Sequence, residues 1–178
     1  MKNALIVGAG PAGATLAYVL ASRGIGVRLV ERQRDFSREF RGEGFQPSGL
    51  DALRQMGLGE QFASLPSVRL QSLALWRRGK KLVETPVPEQ DSEMVPRMVS
   101  QPALLEMVVK ECERFPNFRF DRGVTVRDVI TEGGRVVGVR TTDEELRADI
   151  VVGCDGRTSA LRRRSGLHEE RTAQAFDI

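Results

Sequence analysis

The residues with the clearest chemical potential lie at the start of the chain. Gly8, Gly10 and Gly13 stand in the run Gly8-Ala9-Gly10-Pro11-Ala12-Gly13, and an acid, Glu31, follows 18 residues after the last of them. That spacing suits a dinucleotide. Gly8 permits a tight turn, Gly10 lacks the Cβ that would keep a pyrophosphate off the backbone, and Gly13 lets a helix lie close to a sheet. A helix opening at this turn offers N–H groups and the positive end of its dipole to phosphates. Glu31 is placed to accept hydrogen bonds from a ribose diol, which selects an unphosphorylated adenosine as in FAD or NAD. Arg32 and Arg34 beside it also suit a 2′-phosphate, so the turn alone does not separate these cofactors. Metal chemistry has no support: one histidine, His168, and two distant cysteines, Cys112 and Cys154, give no ligand spacing.

The elements that must position the turn follow from periodicity. Ala4-Leu5-Ile6-Val7 is a continuous apolar run, as in a strand buried on both faces of a parallel sheet. A helix is expected over 14–23, with Leu16, Val19 and Leu20 on its apolar stripe, and a second strand over 27–30. Together they make a βαβ unit. Gly24 is read as closing the helix, and Ala17 and Gly24 as keeping the helix–strand contact small. Further on, the pattern predicts a helix over 47–56 ended by Gly57, a short helix over 60–64, and antiparallel strands between 68 and 99 with a turn at Gly79-Lys80. A helix over 101–113, a hairpin over 124–142 turning at Glu132-Gly133-Gly134, a strand over 146–148, a buried strand over 149–153 and a helix over 158–165 complete the reading. Trp76 and Phe45 read as packing residues, with a place in a substrate cavity as the alternative. Residues 173–178 alternate like a strand that stops in mid-pattern.

Composition sets outer bounds. The 178 residues are 40% apolar and 29% charged, which fits a globular chain with its own core and excludes disordered or collagen-like classes. No apolar run approaches the roughly 20 residues that span a bilayer, so stable membrane insertion is not expected. Met1-Lys2 leads straight into a strand, unlike a signal peptide, and the separated cysteines suit reduced thiols in a cytoplasm. The formal net charge is +3, and the one tight cluster, Arg162-Arg163-Arg164, reads as a solvated helix end, so no nucleic-acid partner is expected.

A second stretch makes the reading specific. Ile150-Val151-Val152-Gly153-Cys154-Asp155-Gly156-Arg157-Thr158-Ser159-Ala160-Leu161-Arg162 resembles the Asp-Gly motif of single-component FAD-dependent monooxygenases, the class A group with the para-hydroxybenzoate hydroxylase fold. The order of landmarks is also similar: a glycine turn, an Arg-Gly pair at Arg41, a Gln-led helix at Gln101, then Asp155-Gly156. The likeness covers essentially the whole chain and is greatest to aromatic and polyketide hydroxylases.

The resemblance implies an α/β architecture, a Rossmann-like FAD-binding fold of glutathione-reductase type carrying an inserted antiparallel β segment of a substrate domain. Residues 1–69 and 99–172 would form the FAD-binding part, 70–98 the first part of the substrate sheet, and 173–178 the start of a second substrate segment. Carried over by position, Gly8, Gly10, Pro11, Ala12 and Gly13 would hold the FAD pyrophosphate and Glu31, with Arg32 beside it, the adenosine ribose. Arg41 would reach the phosphates, Gln101 the ribityl side, and the Val126 backbone the adenine. Asp155 would serve FAD and NAD(P)H binding, with capping of the following helix as an alternative that can coexist with it, and Arg162 would brace its loop. Gln101 also reads simply as the first residue of its helix, and Arg41 as a surface arginine.

In that family NADPH or NADH reduces FAD, and a flavin hydroperoxide hydroxylates a small aromatic substrate, so the cofactor carries the redox chemistry and no catalytic acid or base is named here. A third family motif, Gly-Asp followed by Ala-Ala-His, is absent. The expectation is therefore an N-terminal portion of a longer enzyme, holding FAD weakly by itself, and either truncated or completed by another polypeptide such as a C-terminal fragment of the same enzyme. A related reductase or halogenase, an NAD-dependent dehydrogenase, and a non-catalytic nucleotide-binding fragment are the alternatives.

Overall fold

In a computed structural model, which describes residues 3–37, 42–87 and 94–167, packing divides the chain into two units. One comprises Met1–Arg34 with Cys112–Ile178, the other Asp35–Glu111. The elements run β1 (Asn3–Val7), α1 (Pro11–Ala21), β2 (Gly26–Glu31), β3 (Gly42–Phe45), α2 (Pro47–Gln55), α3 (Gly59–Ala63) and β4 (Ser67–Arg69). Then follow β5 (Ser72–Arg77), β6 (Lys80–Pro86), β7 (Arg97–Ser100), α4 (Gln101–Cys112), β8 (Phe118–Arg122), β9 (Val126–Glu132), β10 (Arg135–Thr141), β11 (Glu145–Arg147), β12 (Ile150–Gly153) and α5 (Ala160–Arg164).

The first unit is built on a parallel sheet of order β12-β1-β2-β8. β1 is central, so Leu5 and Ile6 are at most 1% exposed, which explains its unbroken apolar run. A second, antiparallel sheet of order β11-β10-β9 supplies Val139 and Leu146, which pack with Leu5, Val7, Val30 and Leu161 into one core. Reciprocal bonds between Asn3 and Asp149 fix where β1 and β12 begin: the Asp149 N–H donates to Asn3 Oδ1 at 2.8 Å and the Asn3 N–H to Asp149 Oδ2 at 3.1 Å. The Asn117 side chain donates to the carbonyls of Ala21 and Ile25, at 3.0 and 2.6 Å, closing the end of α1 against the start of β2.

Helix α1 corrects two expectations. It opens at Pro11, three residues earlier than the apolar pattern indicated, because proline fits the first helical position with its φ already set and no N–H to satisfy. Its buried stripe is Gly13, Ala14, Ala17 and Ala21, while Leu16, Val19 and Leu20 are only half-buried. Small residues win that face because they let the helix axis approach the sheet. Gly24 is not part of this contact; a Cβ there would meet nothing within 4 Å, and its φ of +76° simply ends the helix.

In the second unit, β3-β7-β4 form a small antiparallel sheet and β5-β6 a separate hairpin. Phe45 packs on Phe62 with ring centroids 4.7 Å apart. The hairpin turns at Arg78-Gly79, both at positive φ, one residue before the expected place. Trp76 is 59% exposed, with the Lys81 ammonium 5.7 Å from its ring, so it is not a packing residue in the described chain. Leu73, Leu75, Leu82 and Val83 are also more than half exposed. Strands β3 and β8 were not expected: the glycines of Gly42-Glu43-Gly44-Phe45 and the charges of Phe118-Arg119-Phe120-Asp121-Arg122 hide the strand pattern. Residues 173–178 and His168 lie outside the described residues, and among those described no helix is long and apolar enough to cross a membrane.

The charges of β8 have a partner. Asp121 accepts from Arg28 at 2.5 Å and from Arg119 at 2.9 Å, and Arg28 also reaches Glu144 at 2.7 Å. Partial burial works against ionisation of Asp121, yet the two guanidiniums hold its carboxyl below the usual range. A depressed carboxyl stabilises the fold above its unfolded pKa and loses that contribution as pH falls through the folded value. Asp121→Asn is therefore expected to lower the unfolding temperature by a few degrees at neutral pH. The gap to the native chain should narrow as pH drops below about 4. Thermal melts across pH check this; a gap that stays constant into acid contradicts it.

Candidate cofactor site

The C-terminal end of β1 is where three elements converge. Gly8 has φ +101°, and its N–H donates to the Val30 carbonyl at 2.8 Å. A Cβ on Gly8 would lie 2.3 Å from the carbonyl oxygen of Cys154, just past β12. On Gly13 it would lie 1.9 Å from the Gly8 carbonyl oxygen and 3.1 Å from the Cys154 Cβ. These two glycines are required by the protein's own packing.

Gly10 is different. Its φ of −69° and ψ of −178° are open to any residue, and a Cβ there would meet no atom within 4 Å. Nothing in the described fold requires this glycine, so the space in front of it suits something the chain does not supply. Gly10 is the N-cap of α1 and offers no capping side chain, and the first turn carries no acid. The Ala14 N–H is used by the Gly10 carbonyl at 2.9 Å, but those of Ala12 and Gly13 have no partner among the described residues. Free amides, a positive dipole end and an open cradle form an anion site.

Glu31, at the end of β2, is 6% exposed. Its Oε2 accepts the Ala9 N–H at 2.9 Å and its Oε1 the Gln33 N–H at 3.0 Å, which ties the glycine turn to the neighbouring strand. Carboxylate oxygens accept more than one hydrogen bond each, so this tie is compatible with a ribose hydroxyl. The Glu31 carbonyl accepts the Val124 N–H at 2.9 Å, and Gly123 donates to the Gln33 carbonyl at 3.1 Å. The segment leading into Val126, which opens β9, is thereby held beside the acid. Arg32 is exposed. The glycine turn, Glu31 and the 123–126 segment thus gather at one edge of the parallel sheet.

Asp155 caps a helix in the described chain. Its Oδ1 accepts the Ser159 hydroxyl at 2.5 Å, and its Oδ2 the N–H groups of Ala160 and Leu161 at 2.6 and 3.2 Å. Ser159 Oγ in turn accepts the Arg162 N–H at 3.0 Å as the N-cap of α5. Helix α5 therefore starts at Ala160, two residues later than expected. Arg162 Nη2 donates to the Arg157 carbonyl at 2.9 Å, bracing the loop as anticipated. Burial, with the Asp155 charge nearby, pushes the Cys154 thiol up, which disfavours its thiolate.

Two site residues are not among the described residues of the first unit. Gln101 belongs to the second unit, where it opens α4 and its amide donates to the Glu43 carboxylate. Arg41 lies outside the described residues. Sequence reading missed Val124, Ser159 and Asn117. Ser159 carried a signal, a serine ahead of a helical run, whereas Val124 and Asn117 act through partners far away in sequence.

Residues 1–178 match the family described as FAD binding domain. The chain belongs to this FAD-binding domain family. Among individual proteins, it is 34% identical over 181 residues to 6-methylpretetramide 4-monooxygenase of Streptomyces rimosus, covering 97% of this chain and 42% of that one. It is 35% identical over 169 residues to squalene epoxidase 4 of Arabidopsis thaliana, covering 90% and 32%. Among solved structures, PqsL of Pseudomonas aeruginosa superposes with a TM-score of 0.78 at 25% identity, covering 97% of this chain and 48% of that one. The FAD-binding domain thus spans less than half the length of each of these three proteins, and its fold is shared with PqsL.

The fit of this FAD-binding domain to its cofactor can be separated from its stability. Gly10→Ala is expected to cost about 1 kcal/mol or less in stability while weakening FAD at least tenfold. Gly13→Ala is expected to destabilise by about 2 kcal/mol or more, because the added carbon overlaps a backbone oxygen. Denaturant melts and FAD titrations of both variants check the pair; a Gly10→Ala chain that binds FAD normally contradicts the cradle.

Proposed function

We propose that this chain is the FAD-binding part of an NAD(P)H-dependent monooxygenase that hydroxylates an aromatic or polyketide substrate. The observation that carries the proposal is the open space in front of Gly10, beside N–H groups of Ala12 and Gly13 that have no partner among the described residues. In this reading Gly8, Gly10, Pro11, Ala12 and Gly13 surround the pyrophosphate. Glu31 takes the adenosine ribose, with Arg32 at its shoulder, and the backbone at Val126 borders the adenine. Arg41 and Gln101 are assigned to the phosphates and the ribityl chain on the family resemblance. Asp155 holds the loop at the start of α5 through both its oxygens and, on the family resemblance, is assigned to FAD and NAD(P)H binding as well.

Bound FAD would supply the redox chemistry, taking a hydride from NADPH or NADH and activating oxygen. The chain's own residues bind and orient it, and none is assigned acid–base work. The exposed Leu73, Leu75 and Val83 of the β5–β6 hairpin fit the first part of a substrate sheet whose remainder lies in the further length of the relatives. Hydroxylation is favoured by the Streptomyces relative's name; the squalene epoxidase keeps epoxidation of an apolar substrate as the second reading.

Two measurements test this. FAD at ten times its Kd should stabilise the chain by about 1.4 kcal/mol, raising its unfolding temperature by a few degrees, and NAD+ should do less. Equal effects of FAD and NAD+ favour a generic nucleotide module. In the complete enzyme, an aromatic substrate should stimulate NAD(P)H oxidation and acquire oxygen from labelled O2. Oxidation with no labelled product contradicts a monooxygenase and favours a reductase.

A further inference from the structure

We infer that Glu43 is a positioning residue for FAD: its carboxylate turns the Gln101 side chain so that the amide oxygen, Oε1, is presented to a hydroxyl of the ribityl chain. This rests on the proposed assignment of Gln101 to that part of the cofactor, and adds to it the residue that decides which end of the amide faces outward.

The backbone brings the two residues together. Strands β3 and β7 pair antiparallel, with Glu43 opposite Val99. β7 ends at Ser100, and the next residue, Gln101, is the first of α4. Residue 101 is therefore the diagonal neighbour of Glu43, two positions past its direct partner, a separation that long side chains bridge. Across it, Gln101 Nε2 donates to Glu43 Oε1. Both residues are half-buried, and both belong to the second unit.

The chemistry of the pair fixes the atom that is left over. A carboxylate accepts and does not donate, whereas an amide has one end of each kind. The end of Gln101 that meets Glu43 is then its NH2, and the end that remains is its oxygen. An amide opposite a second amide has no such preference, because either end finds a match. Among the described residues no donor reaches Gln101 Oε1, and Glu43 pairs with no cation. The acid thus serves the amide and not an arginine or lysine, and the amide keeps an acceptor free. Hydroxyls are donors that suit it, and the ribityl chain carries several.

The test compares FAD with ADP, which has the pyrophosphate and adenosine of FAD and lacks the ribityl chain, by calorimetric titration of the 178-residue chain. Glu43→Lys replaces the acceptor by a donor, which draws Oε1 inward and turns the NH2 out. FAD affinity is expected to fall about tenfold, the loss of one hydrogen bond to the cofactor, while ADP affinity is unchanged. In the double variant E43K/Q101E the lysine pairs with a carboxylate that still offers an acceptor outward, so most of the FAD affinity should return. If E43K does not fold, Glu43→Gln serves instead: the amide then turns over freely, and the FAD Kd should rise about twofold. A folded E43K or E43Q chain that binds FAD as the native chain does overturns the role of Glu43. Equal losses of FAD and ADP affinity in E43K, or a double variant no tighter than E43K, do the same. Gln101→Ala tests the underlying assignment separately: unchanged FAD affinity removes Gln101 from the ribityl chain, and the inference falls with it.

Discussion

The contact on which the first unit depends is the approach of the Gly8 backbone to the Cys154 carbonyl. With only 2.3 Å between that oxygen and where a Gly8 Cβ would sit, a side chain at Gly8 cannot be accommodated without moving β12. The Cys154 N–H donates to the Val7 carbonyl at 2.7 Å, so the crossing closes the β1–β12 ladder at the place where the chain leaves for α1. Gly13 then locks α1 over the same point. One crowded junction thereby sets the position of the glycine turn, the start of the helix and the loop that Asp155 holds. The first two motifs of the sequence, about 145 residues apart, are one structural object.

That junction also explains why the three glycines are not equivalent. Two of them satisfy the protein, and the third faces open space. The distinction gives the cofactor reading a physical basis beyond spacing, because an intrinsic packing role for the whole motif would leave Gly10 without a reason. Glu31 joins the two aspects: its carboxylate holds the turn through Ala9 while remaining able to accept a ribose hydroxyl.

Much of this was legible in the sequence. The buried strand β1 announces itself as an apolar run; the apolar run of β12 also marks a strand, but an edge strand with Ile150 exposed rather than the buried one its pattern predicts. The hairpin of β9 and β10 is announced by its Gly133-Gly134 turn. What was not legible depended on partners distant in sequence. β8 reads as charged until Asp121 is seen to face Arg28 across the sheet, and β3 is too glycine-rich to signal a strand. The buried stripe of α1 was misplaced because hydrophobicity favours Leu16 and Leu20, whereas closeness to the sheet selects Gly13, Ala14 and Ala17. The capping role of Asp155 is legible in the sequence, and the geometry adds that both its oxygens take part in it.

The central claim is that the open N-terminus of α1 receives a pyrophosphate. Its most direct measurement is the backbone amide NMR spectrum of the chain titrated with FAD and, separately, with FMN, which lacks the second phosphate and the adenosine. FAD should shift the Ala12 and Gly13 amide resonances saturably and slow their hydrogen exchange, while FMN leaves them nearly unchanged. FAD binding that spares these two amides, or FMN shifting them equally, would contradict the account.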